Sequence, residues 1–275
     1  MIFDQEYDIV LPLGAGCPAA MTLDYHHMRF ASYPFDWLQS GSFDAHVEIL
    51  ANRFQDFLNP EDITIHPTIT NTHCTVVKNT RWGYISHHDF PKDCSPQESH
   101  AEVQAKFTRR IERLISRLDA GARVLLLWLE YPYEQTSRSH AELKSALCRI
   151  QQTYPDASFS LFYVHNEEAL SFDDYQVEQV NPEVSIVKAG YNAHMAAFPW
   201  EIAHDALSPV LSRIRLTSRF ADKASYRKYQ SYLRNIGNAS DKWLRRRRFA
   251  NRFAGLIMKK RIVWRLAKLI HELMK

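Results

Sequence analysis

The sequence is short of cysteine and has no long apolar run, and both shortages narrow what it can be. Its four cysteines, Cys17, Cys74, Cys94 and Cys148, lie far apart in 275 residues with no CxxC pair. Neither a disulfide framework nor a zinc knuckle fits that spacing, so a reducing cytoplasm is the expected location. The longest apolar run, residues 124–129, is strand-sized and far below the roughly 20 residues that span a bilayer. Met1-Ile2-Phe3-Asp4-Gln5-Glu6 lacks the basic and apolar regions of a signal peptide, so none is expected. There is no internal repeat and no low-complexity segment. A composition of 45% hydrophobic and 24% charged residues excludes a disordered tail or a fibre.

The net charge of +3 conceals a division. Residues 213–275 hold 19 Lys and Arg against three acids, a net of +16, whereas residues 1–212 hold 15 bases and 28 acids, a net of −13. The expected organisation is therefore an acidic α/β body, residues 1–212, with a basic helical appendage, residues 213–275.

Residues 7–13 read as a short buried strand, followed by the tight turn Gly14-Ala15-Gly16-Cys17-Pro18 and a helix over 18–27. Val47, Leu50, Phe54 and Phe57 at helical spacing predict a helix over 43–58, with Pro60 as its stop. Residues 74–90 look strand-rich. Val103, Phe107, Ile111, Leu114, Ile115 and Leu118 form one stripe of a helix over 98–118, ended by Gly121. A strand over 123–130, a helix over 140–153 and a strand over 158–165 make a β–α–β run, and 184–188 adds a strand. Short connections imply neighbouring parallel strands with a right-handed crossover. The predicted fold is α/β, a layered sheet of largely parallel strands with flanking helices.

Cys17 follows a strand, sits in a glycine-containing turn and opens a helix. Backbone N–H groups and the helix dipole there lower a thiol pKa and can hold an oxyanion. Gly14 and Gly16 permit the sharp turn and the close approach of a substrate. The bland alternative is a small buried cysteine. The candidate base lies in His87-His88-Asp89, where His88 is expected to share its side of a strand with Tyr84 and Ser86. These residues and Asp93 have metal-ligand chemistry but no recognised spacing, so no metal or other cofactor is expected. In Tyr33-Pro34-Phe35-Asp36-Trp37, Trp37 can wall a pocket and Asp36 can orient a histidine or pair with Arg29. Aromatic neighbours predict a buried, bonded Asp36. Glu130 and His165 end two parallel strands, where ligands gather in open α/β sheets, and are candidate substrate contacts.

Leu13-Gly14-Ala15-Gly16-Cys17, Arg29 and Ser32-Tyr33-Pro34-Phe35-Asp36-Trp37, with His88-Asp89-Phe90 downstream, resemble the signature of a bacterial family described as "putative papain-like cysteine peptidase". The resemblance covers residues 7–170 and is specific in its first forty. Ala15 stands where the family usually has serine. The resemblance implies Cys17 as nucleophile and His88 as base, with the third residue open among Asp36, Asp89 and Glu130. It also implies a papain-like α+β core as the alternative fold, and a setting among surface-polysaccharide assembly enzymes. The expected function is a thiol-dependent hydrolase or acyl-type transferase. Its rival is a non-catalytic glycan-binding component of such an assembly.

The appendage carries Trp243-Leu244-Arg245-Arg246-Arg247-Arg248-Phe249 and, towards Lys275, a stripe of Leu256, Val263, Leu266, Ile270 and Leu273 with cations between. A basic amphipathic helix with Trp264 suits an anionic membrane surface, contacted through residues 245–275, and a peripheral position at the inner membrane face. Docking on the acidic body is a rival. Nucleic acid is disfavoured as a partner because no recognised motif accompanies the cations.

Overall fold

The computed structural model describes residues 2–14, 16–39, 42–130, 138–167, 170, 175–189 and 207–238. The chain begins with β1 (Glu6–Tyr7), β2 (Ile9–Gly14), α1 (Cys17–Tyr25), β3 (Leu38–Gln39) and α2 (Phe43–Ala51). Then come β4 (Ile63–Ile65), β5 (Cys74–Asn79), β6 (Ile85–Pro91), α3 (Pro96–Asp119) and β7 (Arg123–Leu129). The chain continues through α4 (His140–Thr153), β8 (Ser158–Asn166), β9 (Tyr175–Gln179) and β10 (Val184–Ala189). The last described elements are α5 (Ser208–Leu211), β11 (Arg215–Leu216) and α6 (Lys223–Asn238).

The central sheet has the order β2-β7-β8-β10-β9, all parallel except the edge strand β9. It is the α/β sheet expected from the β7–α4–β8 run. β7 is buried on both faces, which is why it reads as an unbroken apolar run. Val124, Leu126 and Trp128 join one core with α2, α3 and α4, while Leu125, Leu127 and Leu129 join a second core with α1, α5 and α6. Each such side chain contributes about 2 kcal/mol on burial. α3 and α4 each begin on a capping box, Ser95 with Glu98 and Ser139 with Glu142, which satisfies otherwise unpaired N–H groups.

A second, antiparallel sheet has the order β3-β6-β5-β4. Its register shifts between Thr75↔Phe90 and Val77↔Ser86, so His87, His88 and Asp89 bulge opposite Val76 alone. This breaks the alternation that put His88 on the side of Tyr84 and Ser86. Those two are buried, whereas His88 is exposed.

α2 also ends earlier than its apolar spacing predicts. Arg53, Phe54 and Asp56 have φ of 59°, 62° and 55°, so the chain leaves the helix after Ala51. Phe54 and Phe57 reach the same core from turns, packing on one another and on Phe35. The stretch 213–238, which belongs to the basic part by charge, packs on the body. β11 pairs with β1, and Tyr229 of α6 is buried in the second core. The predicted helix stripe from Leu256 to Leu273 lies outside the described residues.

Candidate active site

β2 delivers Cys17 to the carboxyl edge of the parallel sheet. Gly14 ends the strand with φ +145°, and a Cβ built there would lie 2.5 Å from Trp128 Cζ3 and 2.9 Å from His46 Nδ1. The turn thus presses backbone against two rings, and only glycine fits. Gly16 caps α1, its carbonyl accepting from Ala19 N–H, and Cys17 and Pro18 are the first helical residues. Cys17 is half-buried at a helix N-terminus, where the helix dipole favours negative charge.

His46 was not singled out from the sequence. It lies on the buried face of α2, hidden among Phe43, Val47 and Leu50, and its Nδ1 meets the Leu13 carbonyl one residue before Gly14. Complete burial pushes its pKa down to about 4, so the ring is neutral and Nδ1–H donates. His46 therefore ties α2 to the strand end that presents Cys17. The only sequence signal was a histidine at an apolar helix position. Its Nε2, like Trp128 Nε1, is buried without a hydrogen bond.

Glu130 and His165 meet at the same edge. Register aligns Gly14 with Trp128 on β7 and Trp128 with Tyr163 on β8, so the residues just beyond them end adjacent strands. Glu130 is buried; its Oε1 accepts from Tyr163 Oη at 2.9 Å, and its Oε2 pairs with His165 Nδ1. The bond to Glu130 raises the His165 pKa above the ordinary histidine value, against partial burial. Glu167 adds to that rise and Lys188 opposes it.

Arg29, Asp36 and Trp37 form a separate group. Arg29 Nε and Nη2 donate to Asp36 Oδ2 at 2.9 and 2.6 Å, Tyr33 N–H donates to the same oxygen at 3.0 Å, and the guanidinium lies 5.4 Å from the Trp37 ring centroid. Asp36 is fully buried and bonded, as its aromatic neighbours predicted. Burial pushes its carboxyl pKa up while Arg29 pulls it down. Of the two roles read for Asp36, it takes the pairing with Arg29, and its contacts hold the Tyr33–Trp37 loop.

The histidine pair stands on the antiparallel sheet. His87 Nε2 is 2.7 Å from Gln39 Oε1, linking β6 to β3, and burial followed by the adjacent His88 lowers its pKa. His88 touches the His87 ring, with centroids 6.0 Å apart. Asp89 turns inward to Ser86 and to Lys106 Nζ at 2.6 Å, away from either imidazole. Among the described residues, no group of three His, Cys, Asp or Glu could hold a metal ion. The structure therefore gathers Gly14, Gly16, Cys17, Glu130 and His165 at one sheet edge, and holds Arg29, Asp36 and Trp37 together in another group.

The fold is that of an α/β protein with a cysteine opening a helix at the carboxyl edge of a parallel sheet and an acid-paired histidine two strands away. The chain belongs to the family described as "putative papain-like cysteine peptidase", whose profile matches residues 8–169. It is also similar to an uncharacterised protein of Acanthamoeba polyphaga mimivirus, with 24% identity over 180 residues, covering 60% of this chain and 80% of that protein. No solved structure matches it.

Proposed function

We propose that the protein is a thiol-dependent hydrolase or acyl-type transferase with Cys17 as its nucleophile. The observation that carries this reading is the placing of Cys17 as the first residue of α1, at the carboxyl edge where open α/β sheets bind ligands. The thiol gives its proton to an imidazole, and the thiolate attacks an acyl carbon. Turn amides near Cys17 hold the resulting oxyanion, and the leaving group departs with the proton as the thioester forms. Water, or an acceptor hydroxyl or amine, then releases the acyl group and restores the thiol. Gly14 and Gly16 leave room for the substrate against the backbone.

A place beside surface-polysaccharide assembly enzymes, and attachment to an anionic membrane face through residues 245–275, belong to the same proposal. Among the described residues no helix is long and apolar enough to cross a membrane.

p-Nitrophenyl acetate tests the chemistry without knowledge of the natural substrate. A burst of p-nitrophenolate and one acetyl group on the Cys17 peptide are expected from the unaltered protein, with neither from Cys17→Ser. Acetylation spread over all four cysteines, with no burst, would leave the glycan-binding reading in its place.

A further inference from the structure

We infer that His165, held by Glu130 and Tyr163, is the base that takes the Cys17 proton. The inference rests on Cys17 being the nucleophile. β2 and β8 flank β7, and two strand spacings put their ends about 10 Å apart. Cys17 stands three residues beyond Gly14, and His165 two beyond Tyr163, at strand positions that register aligns through Trp128. Both residues therefore follow strand ends at the same level of one sheet edge.

The hydrogen bonds fix what the imidazole can do. Nδ1 is committed to Glu130, a buried carboxylate with its other oxygen bonded to Tyr163. Among the described residues Nε2 has no hydrogen-bond partner, and His165 is half-exposed, which leaves Nε2 as the proton-accepting nitrogen. Glu130 orients the ring and stabilises the imidazolium, so it and Tyr163 are positioning residues. His88 has no such arrangement, because Asp89 pairs with Lys106 and the His88 ring is exposed.

The charged groups around His165 favour its protonated form on balance. Glu130 on the β7 end and Glu167 after β8 raise its pKa, and Lys188 on β10, opposite His165 in register, opposes them. Glu178 on β9 holds Lys188 Nζ at 3.1 Å, which tempers that opposition. In the transfer the Cys17 S–H bond breaks, an Nε2–H bond forms, and a thiolate–imidazolium pair results with no net change of charge.

The test is the pH profile of iodoacetamide alkylation at Cys17, read peptide by peptide in the full chain. In the unaltered protein Cys17 is expected to titrate below the ordinary thiol value of about 8.5. His165→Gln should raise that value by at least about one unit, cutting the rate at pH 6 about tenfold. Glu130→Gln, which weakens the imidazolium, should shift the profile in the same direction by a smaller amount. His140→Gln, which removes a surface histidine paired with Glu178, should leave the profile in place. A His165→Gln profile like that of the unaltered protein, or the same loss in His88→Gln instead, overturns the inference while Cys17 remains the nucleophile. A Cys17 that titrates at the ordinary value in the unaltered protein overturns the proposed function itself. Should a variant misfold, NMR of the unaltered protein still decides. Alkylating Cys17 must lower the His165 ring pKa, and an unmoved titration refutes the pairing.

Discussion

Gly14→Ala is the sharpest test of how the strand end presents Cys17. The added methyl would stand 2.5 Å from Trp128 Cζ3 and 2.9 Å from His46 Nδ1, both on fully buried side chains. Neither ring can yield cheaply, since Trp128 packs edge-on to Phe43 and His46 is stacked on Phe35. Overpacking of this kind costs about 1–3 kcal/mol, and an L-residue at φ +145° adds about 1–3 kcal/mol of backbone strain. A loss near 4 kcal/mol is a large part of a typical stability of about 5–15 kcal/mol. It should lower the urea midpoint by roughly 1–2 M at a slope of about 2–3 kcal/mol/M, the upper part of the ordinary range. Gly83→Ala is the internal control, because Gly83 has φ +75° but open space around a new Cβ. That variant should lose only about 1–2 kcal/mol. Equal midpoints for the two would refute the claim that Trp128 and His46 close on the strand end.

His46 and the basic segment give two further predictions. A buried neutral histidine with a pKa of about 4 makes folding stability fall as pH drops from about 6.5 towards 4, by up to about 3 kcal/mol, because only the unfolded chain takes up the proton. His46→Phe, which cannot titrate, should be less stable near pH 7 but show a shallower decline over that window; parallel curves in urea unfolding would contradict the assignment. Replacing Arg245, Arg246, Arg247 and Arg248 by glutamine in the full chain should remove about 4 kcal/mol of attraction to anionic vesicles, and binding should weaken with salt. Co-sedimentation unchanged by these substitutions, or by lipid charge, would point to docking elsewhere.

The sequence showed most of the parallel sheet, because β7 is buried on both faces and its neighbours α3 and α4 carry strong periodicity and caps. It showed less where an interaction between distant residues decides the outcome. The pairing of β1 with β11 joins residues more than 200 positions apart, and nothing local announces it. The early end of α2 depends on non-glycine residues adopting positive φ. The bulge at His87–Asp89 depends on register with β5 and reverses the facing inferred for His88 from simple alternation. α6 hides its packing stripe of Tyr226, Tyr229 and Leu233 among cations that read as a separate appendage. Cys17, Glu130 and His165 were legible as residues at the carboxyl edge because they follow strand ends. The bond between Glu130 and His165 was not, since which two side chains share a hydrogen bond is set by strand order, known only once β7 and β8 are seen side by side. His46 was missed because a buried histidine on an apolar helix face looks like any other core position.

The central claim is that Cys17 is an activated nucleophile, and competitive labelling measures that most directly. Cys148 is exposed, while Cys17, Cys74 and Cys94 are half-buried. Limiting iodoacetamide at neutral pH, followed by peptide mass spectrometry, ranks the four in one sample. Activation predicts that Cys17 reacts first despite its burial, well ahead of Cys148. Labelling that follows exposure, with Cys148 first and Cys17 no faster than Cys74 or Cys94, would contradict the account.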